Sequence, residues 1–187
     1  GVIHRDIKPS NILLENHVER AKISDFGLAR AADDAQITQS GSVTGTPQYM
    51  SPEQAQSKPL DERSDLFSLG SVLYTMATGR PPFRATSVLD AIHRVCEKEP
   101  RPVQEIAPEI PDWLAEIIHR LLAKKPDDRF QTAAEVAELL GGHLAHLQQP
   151  AANPRPPRLS PRHAIRRPRW RRWVTPMVAM AVLFAGL

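Results

Sequence analysis

Asp6, Lys8, Asn11 and Asp25 are the residues of this chain whose types and spacing could do chemistry together. A carboxylate can take or orient the proton of a hydroxyl, and a lysine two residues later places a cation beside it. An amide oxygen and a second carboxylate are the hard oxygen donors that magnesium prefers. This set suits the attack of a hydroxyl on a phosphate, which needs positioning, charge neutralisation and a place for its proton more than covalent help. Such residues work only if the backbone holds them. Ile12-Leu13-Leu14 and Ala21-Lys22-Ile23-Ser24 read as two short strands, each presenting a metal ligand at one end.

Taken alone, Asp25-Phe26-Gly27 is usually a turn, and His4-Arg5-Asp6 a solvated polar cluster. Five specified residues in the first string, each about one residue in twenty, coincide by chance at fewer than one start in ~10^5. Chance and packing therefore do not account for the set. His4-Arg5-Asp6 with Lys8 and Asn11, then Asp25-Phe26-Gly27, then Ser51-Pro52-Glu53, resemble in that order the signature strings of protein kinases. Ser51-Pro52-Glu53-Gln54-Ala55 and the phrase from Asp61 to Gly70 are similar to the bacterial branch of the Ser/Thr (Hanks-type) kinases.

The resemblance implies ATP with Mg2+, or Mn2+ in its place, and protein substrates. It gives Asp6 the role of base, Asn11 and Asp25 those of metal ligands, and Lys8 that of neutralising the moving phosphate on the way to Ser or Thr. His4 and Phe26 are expected to pack, with Gly27 closing its motif. Asp65 matches an acid that caps the backbone of the loop carrying Asp6, and Glu53 the partner of a distant arginine, here Arg129. Thr46 is similar to a threonine that ties the substrate loop to Asp6 and Lys8. Between them, the stretch from Gln36 to Thr46 is rich in Thr, Ser and Gly. Thr38, Ser40, Ser42 and Thr44 are its candidate phosphosites, because a phosphate there could bind Arg5 and Arg30 and order the segment.

Downstream the pattern is helical. Ser64 to Tyr74 is apolar on most faces, as a helix in the middle of a domain would be. Val88 to Glu97, Trp113 to Ala123 and Ala133 to Leu147 carry apolar stripes, and Thr132 with Glu135 reads as a capping box for the last. The expected fold is mainly α, with α+β character around the loop of Asp6: a protein-kinase-like large C-lobe with short strands, over residues 1–147. No Gly-rich phosphate loop, strand lysine, helix glutamate or hinge precedes it in this chain. The reading is of a C-lobe fragment with the N-lobe absent, inactive by itself.

Charge divides the chain near Leu147. The total is +3, but every acid precedes Gln149 and eight arginines follow it, which leaves −5 for the lobe. One cysteine, Cys96, excludes an intrachain disulfide and reads as a packing residue. Residues 148–172, rich in Pro and Arg, read as a disordered juxtamembrane linker. Nucleic-acid binding and a Pro-rich adaptor ligand compete for that charge. The uncharged run at residues 173–187, with Trp170 and Trp173 at its edge, favours the start of a truncated transmembrane helix over a buried or interfacial segment. The expectation is a single-pass, lipid-contacting membrane protein with a cytoplasmic lobe, a possible homodimer, and no nucleic-acid partner. Two functions follow: a membrane receptor kinase, or a pseudokinase scaffold that binds partners without catalysis. Intact Asp6, Lys8, Asn11 and Asp25 argue for the first.

Overall fold

The computed structural model describes residues 2–15, 20–26 and 47–159. Strand β1 (Ile12–Leu14) pairs antiparallel with β2 (Ala21–Ile23), Ile12 facing Ile23. The rest is helical: α1 (Pro52–Ala55), α2 (Glu62–Thr78), α3 (Val88–Glu97), α4 (Asp112–Leu121) and α5 (Ala133–Gln148). The described residues form a mostly helical fold with one small sheet.

Helix α2 organises it. Asp61 starts the helix by accepting from the Arg63 amide at 2.9 Å, and Gly79 ends it in the left-handed region at φ 72°. One face of α2 carries small residues, which lets α4 come close. A Cβ added at Gly70 would stand 2.7 Å from the Leu121 Cβ, so only glycine fits that crossing. The serines on α2 bury without loss because their hydroxyls donate one turn back, Ser68 to the Ser64 carbonyl and Ser71 to that of Phe67. Phe67 stacks on Phe83 with centroids 5.9 Å apart, and Tyr74, Val95, Ile118 and Leu122 complete this cluster. Leu66, Ile117, Leu121, Phe130 and Val136 form the second. Lys124 seals the first by donating to the Val95 carbonyl at 2.7 Å with its ammonium 3.9 Å from the Phe83 ring, and burial pushes its pKa down to about 8.

Two expectations need correction. Thr132 caps α5 by accepting from the Glu135 amide, but the Glu135 carboxylate accepts from the Gln131 amide at 3.1 Å, one residue beyond the position a capping box requires. A full box forms instead at α1, where Ser51 and Gln54 each accept from the other's backbone. The second correction concerns the stretch expected to be disordered. Its first part, Gln149 to Leu159, turns back along α5. Asn153 donates to the Ala145 carbonyl and receives the Nδ1 hydrogen of His146 at 2.8 Å. Pro156 lies over Gly142, 3.0 Å from where a Cβ would stand, and Leu159 joins the second cluster. The physical reason is local: a helix face without a side chain leaves room for a proline ring, which needs no ladder partner. Among the described residues no helix is long and apolar enough to cross a membrane. Residues 160–187, which carry the rest of the linker and the membrane reading, lie outside those described.

Candidate active site

The loop ahead of β1 is held at three points. Asp65, in the first turn of α2, accepts from the His4 amide at 2.7 Å and the Arg5 amide at 2.8 Å. Gln54 of α1 donates to the Arg5 carbonyl at 2.8 Å. His4 is buried and bridges two segments: Nε2 donates to the Ser24 carbonyl at 3.0 Å, and Nδ1 accepts from the Asp6 amide at 3.3 Å. The Ser24 carbonyl as acceptor and the Asp6 amide as donor fix the tautomer, with the hydrogen on Nε2. Arg5 meanwhile sits at φ 68°, a conformation that non-glycine residues adopt only when their surroundings hold them there.

This clamp fixes Asp6. A 3-10 turn over Pro9–Asn11 follows it, opened by a proline whose φ suits the turn, and buries Asn11. The Asn11 amide donates to the Asp6 carbonyl at 2.8 Å and to its Oδ2 at 3.0 Å, while Lys8 Nζ lies 2.8 Å from the same Oδ2. Two donors thus orient one carboxylate oxygen, and among the described residues the Asn11 side-chain oxygen faces only a long 3.4 Å contact from Ser10.

The β1–β2 pairing brings Asp25 to the same end. Opposite Asn11 stands Ser24, whose amide donates to the Asn11 carbonyl at 2.9 Å and whose hydroxyl donates to Asp25 Oδ2 at 3.3 Å. Asp25 is at φ 57°, the second strained non-glycine in the site. Among the described residues no group of three His, Cys, Asp or Glu could hold a metal ion. A cation on the Asn11 and Asp25 oxygens would draw the remainder of its shell from phosphate and water. That suits magnesium, which keeps several waters and uses few protein ligands.

Phe26 departs from the expected packing. Its ring lies 4.9 Å from that of His4, but the side chain is 55% exposed, since His4 covers one face and no described residue covers the other. Glu53 and Arg129 lie below the loop. Arg129 is fully buried and donates to Glu53 at 2.7 and 2.9 Å and to the carbonyls of Ala123, Arg63 and Lys124, which uses all five of its N–H groups. Burial pushes the Glu53 carboxyl up, but hydrogen bonds from Arg129 and Ser64 outweigh it and hold the pKa below the ordinary glutamate value. Gly27, Thr38, Ser40, Ser42, Thr44 and Thr46 lie outside the described residues.

Residues 1–139 match the protein kinase domain family. The chain belongs to that family. Within it, the chain is similar to a probable serine/threonine-protein kinase of Corynebacterium efficiens, 42% identical over 165 residues, 80% of this chain and 25% of the relative. It is also 42% identical to the serine/threonine-protein kinases PknB of Mycolicibacterium smegmatis and Mycobacterium tuberculosis, over 76% of this chain and 23% of each relative. The chain spans about a quarter of the length of these curated relatives.

Within this member of the family, two positioning residues escaped the sequence reading. Ser24 joins the two metal-ligand candidates, and a hydroxyl directly before Asp25 is its only local signal. Gln54 locks α1 to the loop through Arg5, and the Ser-x-x-Gln spacing from Ser51 is the sign that could have found it.

Proposed function

We propose that the protein transfers the γ-phosphate of ATP to serine or threonine hydroxyls of other proteins. The observation that carries this is the convergence of Lys8 and Asn11 on one oxygen of Asp6, which leaves a charged, oriented carboxylate at the mouth of a strained loop. Mg-ATP, or Mn-ATP, supplies the activated phosphate and neutralises charge on its oxygens when bound. The chain's own residues do the rest. Asp6 receives or orients the hydroxyl proton, Lys8 faces the phosphate in flight, and Asn11 and Asp25 offer oxygens to the cation. Asp65, His4, Ser24 and Gln54 hold those four in register without touching substrate, and the Glu53–Arg129 pair is structural. Phosphate on Thr38, Ser40, Ser42 or Thr44 would order the segment that follows Asp25, with Thr46 as its link to the substrate loop.

The test is a transfer assay with the purified full-length protein, ATP, magnesium and a generic protein acceptor, followed by phosphoamino-acid analysis. Phosphoserine or phosphothreonine without phosphotyrosine is the expected result. No transfer by a folded protein, with partner binding retained, would replace this reading by a non-catalytic scaffold.

The second part of the proposal is topology. Arginines from Arg162 to Arg172 precede an uncharged run with Trp170 and Trp173 at its boundary, the arrangement of a cytoplasmic flank and an interfacial belt. The full-length protein is expected in the membrane fraction, resistant to high-salt and alkaline washes and released by detergent, because salt screens charge but not apolar burial. Recovery in the salt wash would turn the arginines into a nucleic-acid or lipid-surface contact. Digestion of the lobe by protease outside intact cells would reverse the orientation.

A further inference from the structure

Five cations, Arg80, Arg84, Arg94, Lys98 and Arg101, line a pocket of about 210 Å3 between the end of α2 and the end of α3, over a floor that includes the buried Phe83. Two of them have carboxylate partners: Arg94 lies 2.9 Å from Asp90, and Arg101 lies 3.7 Å from Glu105. Arg80, Arg84 and Lys98 form no ion pair among the described residues. Because the chain before Gln149 carries a net −5, this is a local reversal of sign. Concentrating like charges around a concavity is unfavourable unless an anion shares it.

The pocket is smaller than those that hold drug-sized ligands and suits one phosphoryl group with the first carbons of its side chain. A second pocket of about 560 Å3 shares Tyr74, Glu99 and Arg101 with it and is lined by Val103, Ile118 and Leu122. An anion in the first therefore sits beside an apolar socket in the second. Glu99, Glu105 and Asp128 line that socket together with Arg101, Lys124 and Lys125, so its charges balance. A lining of balanced charge adds nothing for an anionic bilayer or a nucleic-acid backbone, both of which would spread their charge across both pockets. A polypeptide can place one phosphate and one apolar side chain separately.

We infer that these paired pockets bind a phosphorylated serine or threonine of a protein partner, with an apolar residue of the same segment in the adjoining socket. The doubly charged phosphate, with three acceptor oxygens, matches the arginine forks better than a carboxylate does. Helix α3, which carries Arg94, packs against α1 and the 3-10 turn Pro47–Tyr49. Arg94 thus ties the pocket to the helix that packs on that turn. The inference rests on the proposed kinase activity only in that phosphoserine and phosphothreonine are its products. Partners phosphorylated once would be retained for further transfer.

The test is fluorescence anisotropy with the full-length protein and labelled phosphothreonine peptides that carry leucine at varied distances from the phosphate. Each peptide is paired with its unphosphorylated twin and with a leucine-to-glycine version. At least one phosphopeptide is expected to bind tenfold or more tightly than its twin, and to weaken with salt and with loss of its leucine. The exposed pair R80E/R84E is expected to abolish the preference while phosphate transfer to a short unphosphorylated peptide is unchanged. Equal binding of twins, a preference that survives R80E/R84E, or binding seen only with anionic vesicles, RNA or inorganic phosphate would overturn the inference. Failure of the kinase reading would show separately, as absent transfer with phosphopeptide binding intact.

Discussion

Asp6→Asn is expected to lower phosphate transfer by the full-length protein about 10²–10⁴-fold with little change in nucleotide affinity, the range general-base catalysis contributes. The amide keeps the size of the side chain and can still accept from Asn11, but it loses the charge that pairs with Lys8 at 2.8 Å and cannot take a proton. Asp25→Asn is expected to abolish activity by another route, weakened cation binding. Magnesium titration separates them. Excess magnesium should recover part of the Asp25 variant's rate and none of the Asp6 variant's, and the opposite pattern would exchange the two roles.

Arg129→Ala is expected to destabilise the fold by about 3–5 kcal/mol, the cost of leaving the partner of a buried ion pair alone. Glu53 would keep only the Ser64 hydroxyl, and the carbonyls of Ala123, Arg63 and Lys124 would each lose a donor. The pair also sets an acid response. Because the folded Glu53 pKa is lowered, its contribution is complete above the unfolded value and disappears as pH falls through the folded one. Urea denaturation across acidic pH should show wild type losing more stability on acidification than Arg129→Ala, in which Asp61 keeps its Arg63 partner. An unchanged midpoint for the variant at neutral pH would mean that the pair is replaceable by simple packing.

Helices with one apolar stripe were legible in the sequence because their stripe is periodic: Val88–Glu97 and the extent of α4 and α5 follow from spacing alone. Helix α2 was legible for a different reason, since apolar residues on most faces mark a helix that neighbours surround. The site was legible as strings, and only through resemblance were Asp65, Glu53 and Arg129 attached to partners 60 or more residues away. The return of Gln149 to Leu159 was not legible. Proline-rich sequence has no period, and what holds this stretch is the complement between Pro156 and Gly142, a contact visible in neither segment separately. The exposure of Phe26 was missed for a related reason, because an aromatic residue within a motif does not show how many of its faces are covered.

That return along α5 has a mechanical consequence. If the run at residues 173–187 is fixed in a bilayer, the lobe hangs on a leash whose working length is counted from Leu159, the last packed residue described, and not from the end of α5. Residues 160–172 at full stretch reach roughly 45 Å. Peeling Gln149 to Leu159 from the helix would add roughly 35–40 Å more. The seam of Pro156, Leu159 and the Asn153 hydrogen bonds would then act as a stored loop of cord. In that arrangement the volume the lobe sweeps, and the concentration at which it meets neighbours, would depend on whether the seam is closed.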